Sequence, residues 1–352
     1  MRRYLVQFSR RLLGIQQITE RIETLIRSRS RTDDRLESIE SELQGVREQL
    51  GNLGASLERM RPRAEDSIAL PAELKPYAGL SAALYIREDG SLALSREQGN
   101  SSERSIIISI PKSGTYLLGA YLQSLGLIHC FAHVHEGGFS DYRGRSIKEM
   151  VENYTDFEIP LPVEHTLKLI KPGDFVVGHL RDIDRCRPLL SEYRKVLAVR
   201  EIRAALVSHM RFMNNEGRGK AFGTDWKDEP DPREKMRGYL RKYAPTMLPF
   251  MAEVAAWREL PDVLVVPFDA LLGDHGPDLQ QSVASRIAAH VGVDLTPAEA
   301  VTKLRGVIGK PTTTWSGSRT SLQEYWSPEC EEIFRDHGGG ALNLALGYDA
   351  AE

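Results

Sequence analysis

The sequence predicts an α/β domain, a parallel sheet flanked by helices, preceded by an N-terminal helical coiled coil. Three observations carry that reading. Short apolar runs at 105–110, 175–180, 195–199 and 263–268 alternate with longer segments of helical period, the order of parallel strands joined by crossover helices. One run passes through a glycine-containing turn straight into a helical segment bearing Leu117, Leu118, Tyr121, Leu122 and Leu125, which stops near Gly126. Ahead of these, apolar residues between Ile15 and Met60 recur at spacings of three and four.

That spacing defines a heptad seam: Ile15, Ile18, Ile22 and Leu25, then Leu36, Ile39, Leu43, Val46, Leu50, Leu53, Leu57 and Met60. Arg29 and Thr32 occupy seam positions in between and weaken packing there without breaking the register. Arg35 with Glu40, and Glu42 with Arg47, stand where parallel partners exchange salt bridges, so a homo-oligomer is expected; a helix folded back on its own domain is the other reading. Before the seam, residues 1–14 combine four arginines with apolar side chains, either a helical lead-in or a short peripheral membrane-surface helix. Pro62 ends the helix, because proline cannot continue the hydrogen-bond ladder. The expected organisation is a basic segment and coiled coil over 1–62, a linker over 63–76 and a catalytic domain over 77–352. Within the last, Asp89-Gly90 between apolar segments 82–86 and 91–94 marks a hairpin.

The 352-residue chain is long enough for one large domain with an appendage. Its formal net charge of -3 provides no global basic field, and no nucleic-acid partner is expected. Cys130, Cys186 and Cys330 are too far apart for a CxxC ligand pair and odd in number, which fits a reducing, cytoplasmic compartment. No apolar run approaches the roughly 20 residues that span a bilayer, and no secretory cleavage pattern follows Met1.

The turn at 110–115 is the most informative segment. A strand, a short turn containing Gly114 and a helix together aim main-chain N–H groups at one spot, at the positive end of the helix dipole, where an anion binds. Lys112 adds a mobile charge, and Ser113 and Thr115 add hydroxyls. The lysine precedes the glycine, so this is not the GxxxxGK[ST] pattern of a nucleotide-hydrolysing loop. A second segment, 196–212, reads as a strand ending in Arg200 and a helix bearing Ser208 eight residues on. Arginine grips phosphate through a planar pair of donors, and a serine two helical turns along supplies another.

These two segments resemble the sulfotransferases that use 3'-phosphoadenosine-5'-phosphosulfate (PAPS), whose first loop typically reads PKSGTTW; here it is Pro111-Lys112-Ser113-Gly114-Thr115-Tyr116-Leu117. The resemblance extends over 105–349 and implies a P-loop-like sulfotransferase fold with PAPS as co-substrate and no metal. It places the 5' end of the donor on Lys112, Ser113, Gly114, Thr115, Tyr116 and Leu117, and the 3'-phosphate on Arg200 and Ser208. The segment 262–274 is similar to the family's late strand, and 315–326 falls where a loop closes on the 3'-phosphate, with Ser316, Gly317 and Arg319 as its candidates. Three positions depart from the family pattern: Leu117 replaces a tryptophan that stacks on adenine, the Arg-Lys-Gly of the closing loop is absent, and Glu201-Ile202 replaces Asp-Pro.

Transfer to a hydroxyl needs a base on the acceptor and a positive charge on the leaving oxygen. Lys112 suits the second. His179 closes the apolar run 175–180 at the carboxyl end of a strand, and imidazole takes a proton near neutral pH. The family commonly carries its base as a histidine at this point of the chain. His129, Cys130, His133, His135 and Glu136 form a second cluster, open to metal, acceptor-pocket or structural readings, although its spacing matches no zinc signature. The charged run Arg181, Asp182, Asp184, Arg185 and Arg187 reads as a solvated loop, and the glycine- and arginine-rich 214–222 as a flap or plain surface loop. The expected function is sulfuryl transfer from PAPS to a hydroxyl, on a carbohydrate or glycolipid by preference and on a small molecule otherwise. The alternatives are a nucleotide-dependent phosphoryl transferase and a non-catalytic coiled-coil scaffold with a nucleotide-binding domain.

Overall fold

The computed structural model describes residues 68–146, 149–150, 157–214, 226–309 and 322–348. The heptad seam, the 1–14 segment, Ser316, Gly317 and Arg319 lie outside the described residues, as does all of the 214–222 segment except Asn214.

Chain order explains the sheet. A small hairpin comes first, β1 (Tyr85–Ile86) and β2 (Leu92–Ala93), closed by a bond from Arg87 N–H to the Ser91 carbonyl at 2.9 Å, with Gly90 at φ 77°. The main sheet is built from β3 (Arg104–Ser109), β4 (Ile128–His135), β5 (Gly138–Asp141), β6 (Glu158–Ile159), β7 (Asp174–Gly178), β8 (Tyr193–Val199) and β9 (Val263–Pro267). Its order is β6-β5-β4-β7-β3-β8-β9. The five strands from β4 to β9 in that order run parallel, and β5 and β6 add an antiparallel edge. All four strands expected from the sequence are present. The edge that patterning missed begins in β4, where the histidines interrupt the apolar run and the register shifts between His129 and His133.

Residues of the central strands alternate between two cores, as side chains of period two must. Ile106, Ile108, Val176, Leu197 and Val199 face one core; Ile107, Phe175, Val177, Val196 and Ala198 face the other. The second core is covered by α1 (Thr115–Ser124), whose Leu118, Tyr121 and Leu122 are fully buried, and by the helices Pro277–His290 and Pro297–Arg305. The first is covered by α4 (Ile202–Met213) and α5 (Pro232–Ala255) together with the C-terminal α10 (Pro328–Asp336) and α11 (Gly339–Ala345). Leu74, within a 3-10 segment at Ala72–Ala83, also joins this core. The short helices α2 (Val163–Thr166), α3 (Ile183–Leu189), α6 (Phe268–Leu272) and α9 (Leu322–Tyr325) fill connections, so that Pro277–His290 is α7 and Pro297–Arg305 is α8.

The charged run after His179 departs from its reading as a loop. Asp182 accepts from the Arg185 N–H and caps α3, so most of the run lies on a short helix whose charges stay in solvent. Among the described residues no helix is long and apolar enough to cross a membrane.

Candidate active site

Four adjacent parallel strands, in the spatial order β7-β3-β8-β9, deliver at their carboxyl ends His179, the 110–114 turn, Arg200 and Phe268. Open α/β sheets collect their sites at such ends. The sequence puts these residues far apart; the strand order makes them neighbours.

The turn is shaped by two left-handed residues. Ser113 N–H bonds to the Ile110 carbonyl at 3.1 Å, Lys112 has φ 69° and Gly114 has φ 87°. Gly114 is the residue before α1, whose first-turn N–H groups have no carbonyl four residues back and no side-chain cap. A Cβ at Gly114 would stand 2.4 Å from Phe268 Cδ2, so only glycine fits both the angle and the space. Ser113 is fully buried, and its Oγ has no hydrogen-bond partner among the described residues. A buried hydroxyl in that condition, beside uncapped N–H groups and a lysine, suits an anionic group lodged in the turn.

Arg200 follows β8. Its Nη1 donates to the Lys112 carbonyl at 3.2 Å, and its guanidinium lies 4.6 Å from the centre of the Phe268 ring. Burial pulls its pKa below the usual arginine value against the opposing charges of Asp269 and Glu201, the condition of a cation poorly served by water. Glu201, one of the departures from the family pattern, caps α4 by accepting from the N–H groups of Arg203 and Ala204 at 3.1 and 2.6 Å. An acidic cap there is what the first turn of a helix favours. Ser208 and Phe212 lie four residues apart on α4, hence on one face, and Lys112 Nζ sits 4.0 Å from the Phe212 ring centre. Ser208 is thereby brought to the same side as the turn. Leu117 is buried in the core beneath α1.

His179 Nδ1 is 2.6 Å from the Ser109 carbonyl, which can only accept. Nδ1 therefore carries the proton and Nε2 the lone pair. Ser109 Oγ lies 3.2 Å from the same nitrogen and 2.7 Å from Thr115 Oγ1, tying the histidine to the start of α1. Burial, helped by the Lys112 charge, pushes the His179 pKa down to about 4, against the Ser109 bond and Glu136, which favour the charged form. The imidazole is neutral at pH 7.

The second histidine cluster is dispersed by β4. His129 is buried and stacked on Phe175 at 4.6 Å, with its pKa lowered to about 3 by burial. His133 stands edge-on to His179 at 4.6 Å, and its Nδ1 is 3.4 Å from the Tyr116 hydroxyl. His135 pairs with Glu158, and Glu136 accepts from the N–H groups of Arg181 and Asp182 at 2.6 and 3.1 Å, holding the chain beyond His179. Cys130 is buried. Thus His133 joins the site, Tyr116 turns its hydroxyl toward His133, and the others serve the sheet and its loops. Rings of His133, Tyr142, Phe157 and Phe250 continue from His179 as an aromatic wall.

Patterning missed Ser109, Phe212 and Phe268. Ser109 did leave a signal, as a hydroxyl in an otherwise apolar strand; the two phenylalanines look like ordinary core.

No protein-family model matches the chain, and no curated protein matches it. Solved structures do. Mouse sulfotransferase SULT7A1 complexed with PAP matches with a TM-score of 0.42 and 13% identity over 72% of this chain and 93% of its own. Retinol dehydratase in complex with androsterone and the inactive cofactor PAP matches with a TM-score of 0.42 and 12% identity, covering 71% and 82%. Sulfotransferase STF9 from Mycobacterium avium matches with a TM-score of 0.37 and 14% identity, covering 67% and 76%. The structures this chain is similar to include sulfotransferases.

Proposed function

We propose that this protein transfers a sulfuryl group from PAPS to an acceptor hydroxyl. The observation that carries the reading is the convergence of the Lys112 turn and Arg200, two cationic anion-binding elements joined by the Arg200 to Lys112 carbonyl bond and adjoined by a neutral histidine. A donor with phosphate at both its 3' and 5' positions requires two such elements.

When bound, PAPS supplies an activated sulfuryl group on a good leaving phosphate. The chain's residues then have distinct work. The first-turn N–H groups of α1 and the Ser113 and Thr115 hydroxyls hold the 5' end, with Lys112 as the charge that stabilises the leaving oxygen. Arg200 and Ser208 hold the 3'-phosphate, with Ser316, Gly317 and Arg319 proposed to close on it. His179 Nε2 takes the acceptor's proton, its orientation fixed through Nδ1 by Ser109. No residue in this assignment calls for a metal.

The acceptor would lie along the His133, Tyr142, Phe157 and Phe250 rings. Aromatic rings on both sides of one base suit an acceptor that stacks a face on them while presenting a hydroxyl to His179; a carbohydrate or glycolipid is our preferred class, with a small molecule as the alternative. The 1–62 segment would carry the 77–352 domain as a cytoplasmic homo-oligomer, with 1–14 as a helical lead-in or, alternatively, a peripheral membrane contact.

The test is incubation of the full-length protein with sulfur-labelled PAPS and extracts fractionated into lipid, glycan and small-molecule classes. Label entering one class supports the reading. Tight PAP binding without label in any class would favour the scaffold alternative.

A further inference from the structure

The turn that carries Arg200 is held from the far end of the chain. The first N–H groups of α4 have no partners within the helix and must find them elsewhere. Those of Arg203 and Ala204 go to the Glu201 carboxylate. That of Ile202, a fully buried residue, goes to Asn343 Oδ1 at 2.8 Å, and Asn343 is itself fully buried. Asn343 Nδ2 returns a bond to Glu201 Oε1 at 2.7 Å, so one amide closes both groups of the turn. Beside it, Arg203 makes a paired contact of 2.7 and 2.7 Å with Glu331, which also accepts from Trp326 Nε1 at 2.8 Å. Helix α11 is thus fastened to Glu201 and Ile202 and helix α10 to Arg203, the three residues that follow Arg200, and Arg200 in turn holds the Lys112 carbonyl.

We propose that Asn343 is a positioning residue of the donor site: through Glu201 and Ile202 it sets where Arg200 stands, and hence how well the 3'-phosphate is gripped. This rests on the assignment of Arg200 to that phosphate. The reason an amide is needed at 343 is the N–H of Ile202. A proline at that position has no N–H, is favoured as the first residue of a helix, and accepts a preceding residue at Glu201's φ -51° and ψ 124°. Position 202 and position 343 should therefore behave as a coupled pair.

The test is a double-mutant cycle on the full chain, read as PAP affinity by calorimetry alongside thermal midpoint. Asn343→Leu keeps the side chain's size but strands the Ile202 N–H and removes one of the bonds that hold Glu201 Oε1; PAP affinity should fall about tenfold, with binding of AMP, which lacks the 3'-phosphate, reduced less. Ile202→Pro alone, which removes the N–H but keeps the Asn343 to Glu201 bond, should lose less PAP affinity than Asn343→Leu. The double variant should recover most of the lost affinity, although the Glu201 contact is still missing. Should Asn343→Leu fail to fold, the folded double variant and Asn343→Asp, which keeps an acceptor but sets a like charge beside Glu201, provide the comparison; weakened PAP binding in Asn343→Asp is expected. PAP affinity unchanged in the Asn343 variants, or lost equally with and without Ile202→Pro, overturns the proposal and leaves Asn343 a packing residue. If the wild-type protein binds PAP no better than AMP, the Arg200 assignment falls first and the proposal with it, an outcome read from wild type alone.

Discussion

Arg200 Nη1 donates a hydrogen bond of 3.2 Å to the main-chain carbonyl of Lys112. Lys112 is a non-glycine residue at φ 69°, a conformation that persists when its surroundings over-determine it. The arginine assigned to one phosphate therefore steadies the turn assigned to the other. Arg200→Ala should weaken binding of AMP as well as PAP, whereas Ser208→Ala should weaken PAP alone. Calorimetric titration of both nucleotides against both variants checks this; AMP affinity unaltered by Arg200→Ala would mean that the two elements are independent.

Lys112→Ala should lower the transfer rate about a hundredfold, the usual cost of removing one preorganised group that stabilises developing charge, together with a smaller loss of donor affinity. The same lysine rests on Phe212, so Phe212→Leu should give a milder version of the same pattern, restored by Phe212→Tyr. Steady-state kinetics with PAPS separates the two quantities. A change confined to affinity in Lys112→Ala would make it a binding residue only.

His179→Ala should remove about a hundredfold or more of the transfer rate while leaving PAP binding intact. Because the folded imidazole titrates near 4, the wild-type rate should hold at pH 5.5, where an ordinary imidazole is largely protonated, and fall only as pH approaches 4. A rate that halves near pH 6.5 would contradict the buried, Ser109-bound geometry.

Gly114→Ala tests the shape of the turn. Its Cβ would meet the Phe268 ring at 2.4 Å, in a backbone conformation that costs an L-residue about 1–2 kcal/mol before any clash. Loss of PAP binding with a lower thermal midpoint is expected; a variant with both intact would mean the turn adopts another conformation in solution.

How much of this was legible follows from how far each feature reaches along the chain. The strand, turn and helix of 104–124 are local, and one stretch of side chains displayed them. Arg200 and Ser208 were equally plain, since strand end and helix face are fixed by spacing. The β4 to β6 edge was hidden because His129, His133 and His135 replace apolar residues with rings that bury only by stacking, as His129 does on Phe175. Asn343 left no local sign at all: its partners, Glu201 and Ile202, lie on the other side of the sequence, and only tertiary packing brings the amide to an N–H that proline would have removed.

Buried neutral histidines also set acid stability. His179 titrates near 4 and His129 near 3 in the folded state, with burial the leading cause for both, whereas in the unfolded chain each takes its proton near 6.5. Between those values the unfolded state binds more protons, so stability falls as pH drops from about 6.5, by up to about 1.4 kcal/mol per pH unit for each histidine. Denaturant unfolding at pH 7 and pH 5 should show this loss, and His129→Phe should reduce it. An equal loss in that variant would exclude His129 as a source.

The most direct measurement is the affinity of the wild-type protein for PAP compared with AMP at one ionic strength. Two charge-assisted contacts to the 3'-phosphate, from Arg200 and Ser208, predict PAP binding about a hundredfold tighter. Equal affinities would contradict the assignment of a second phosphate site beside the Lys112 turn.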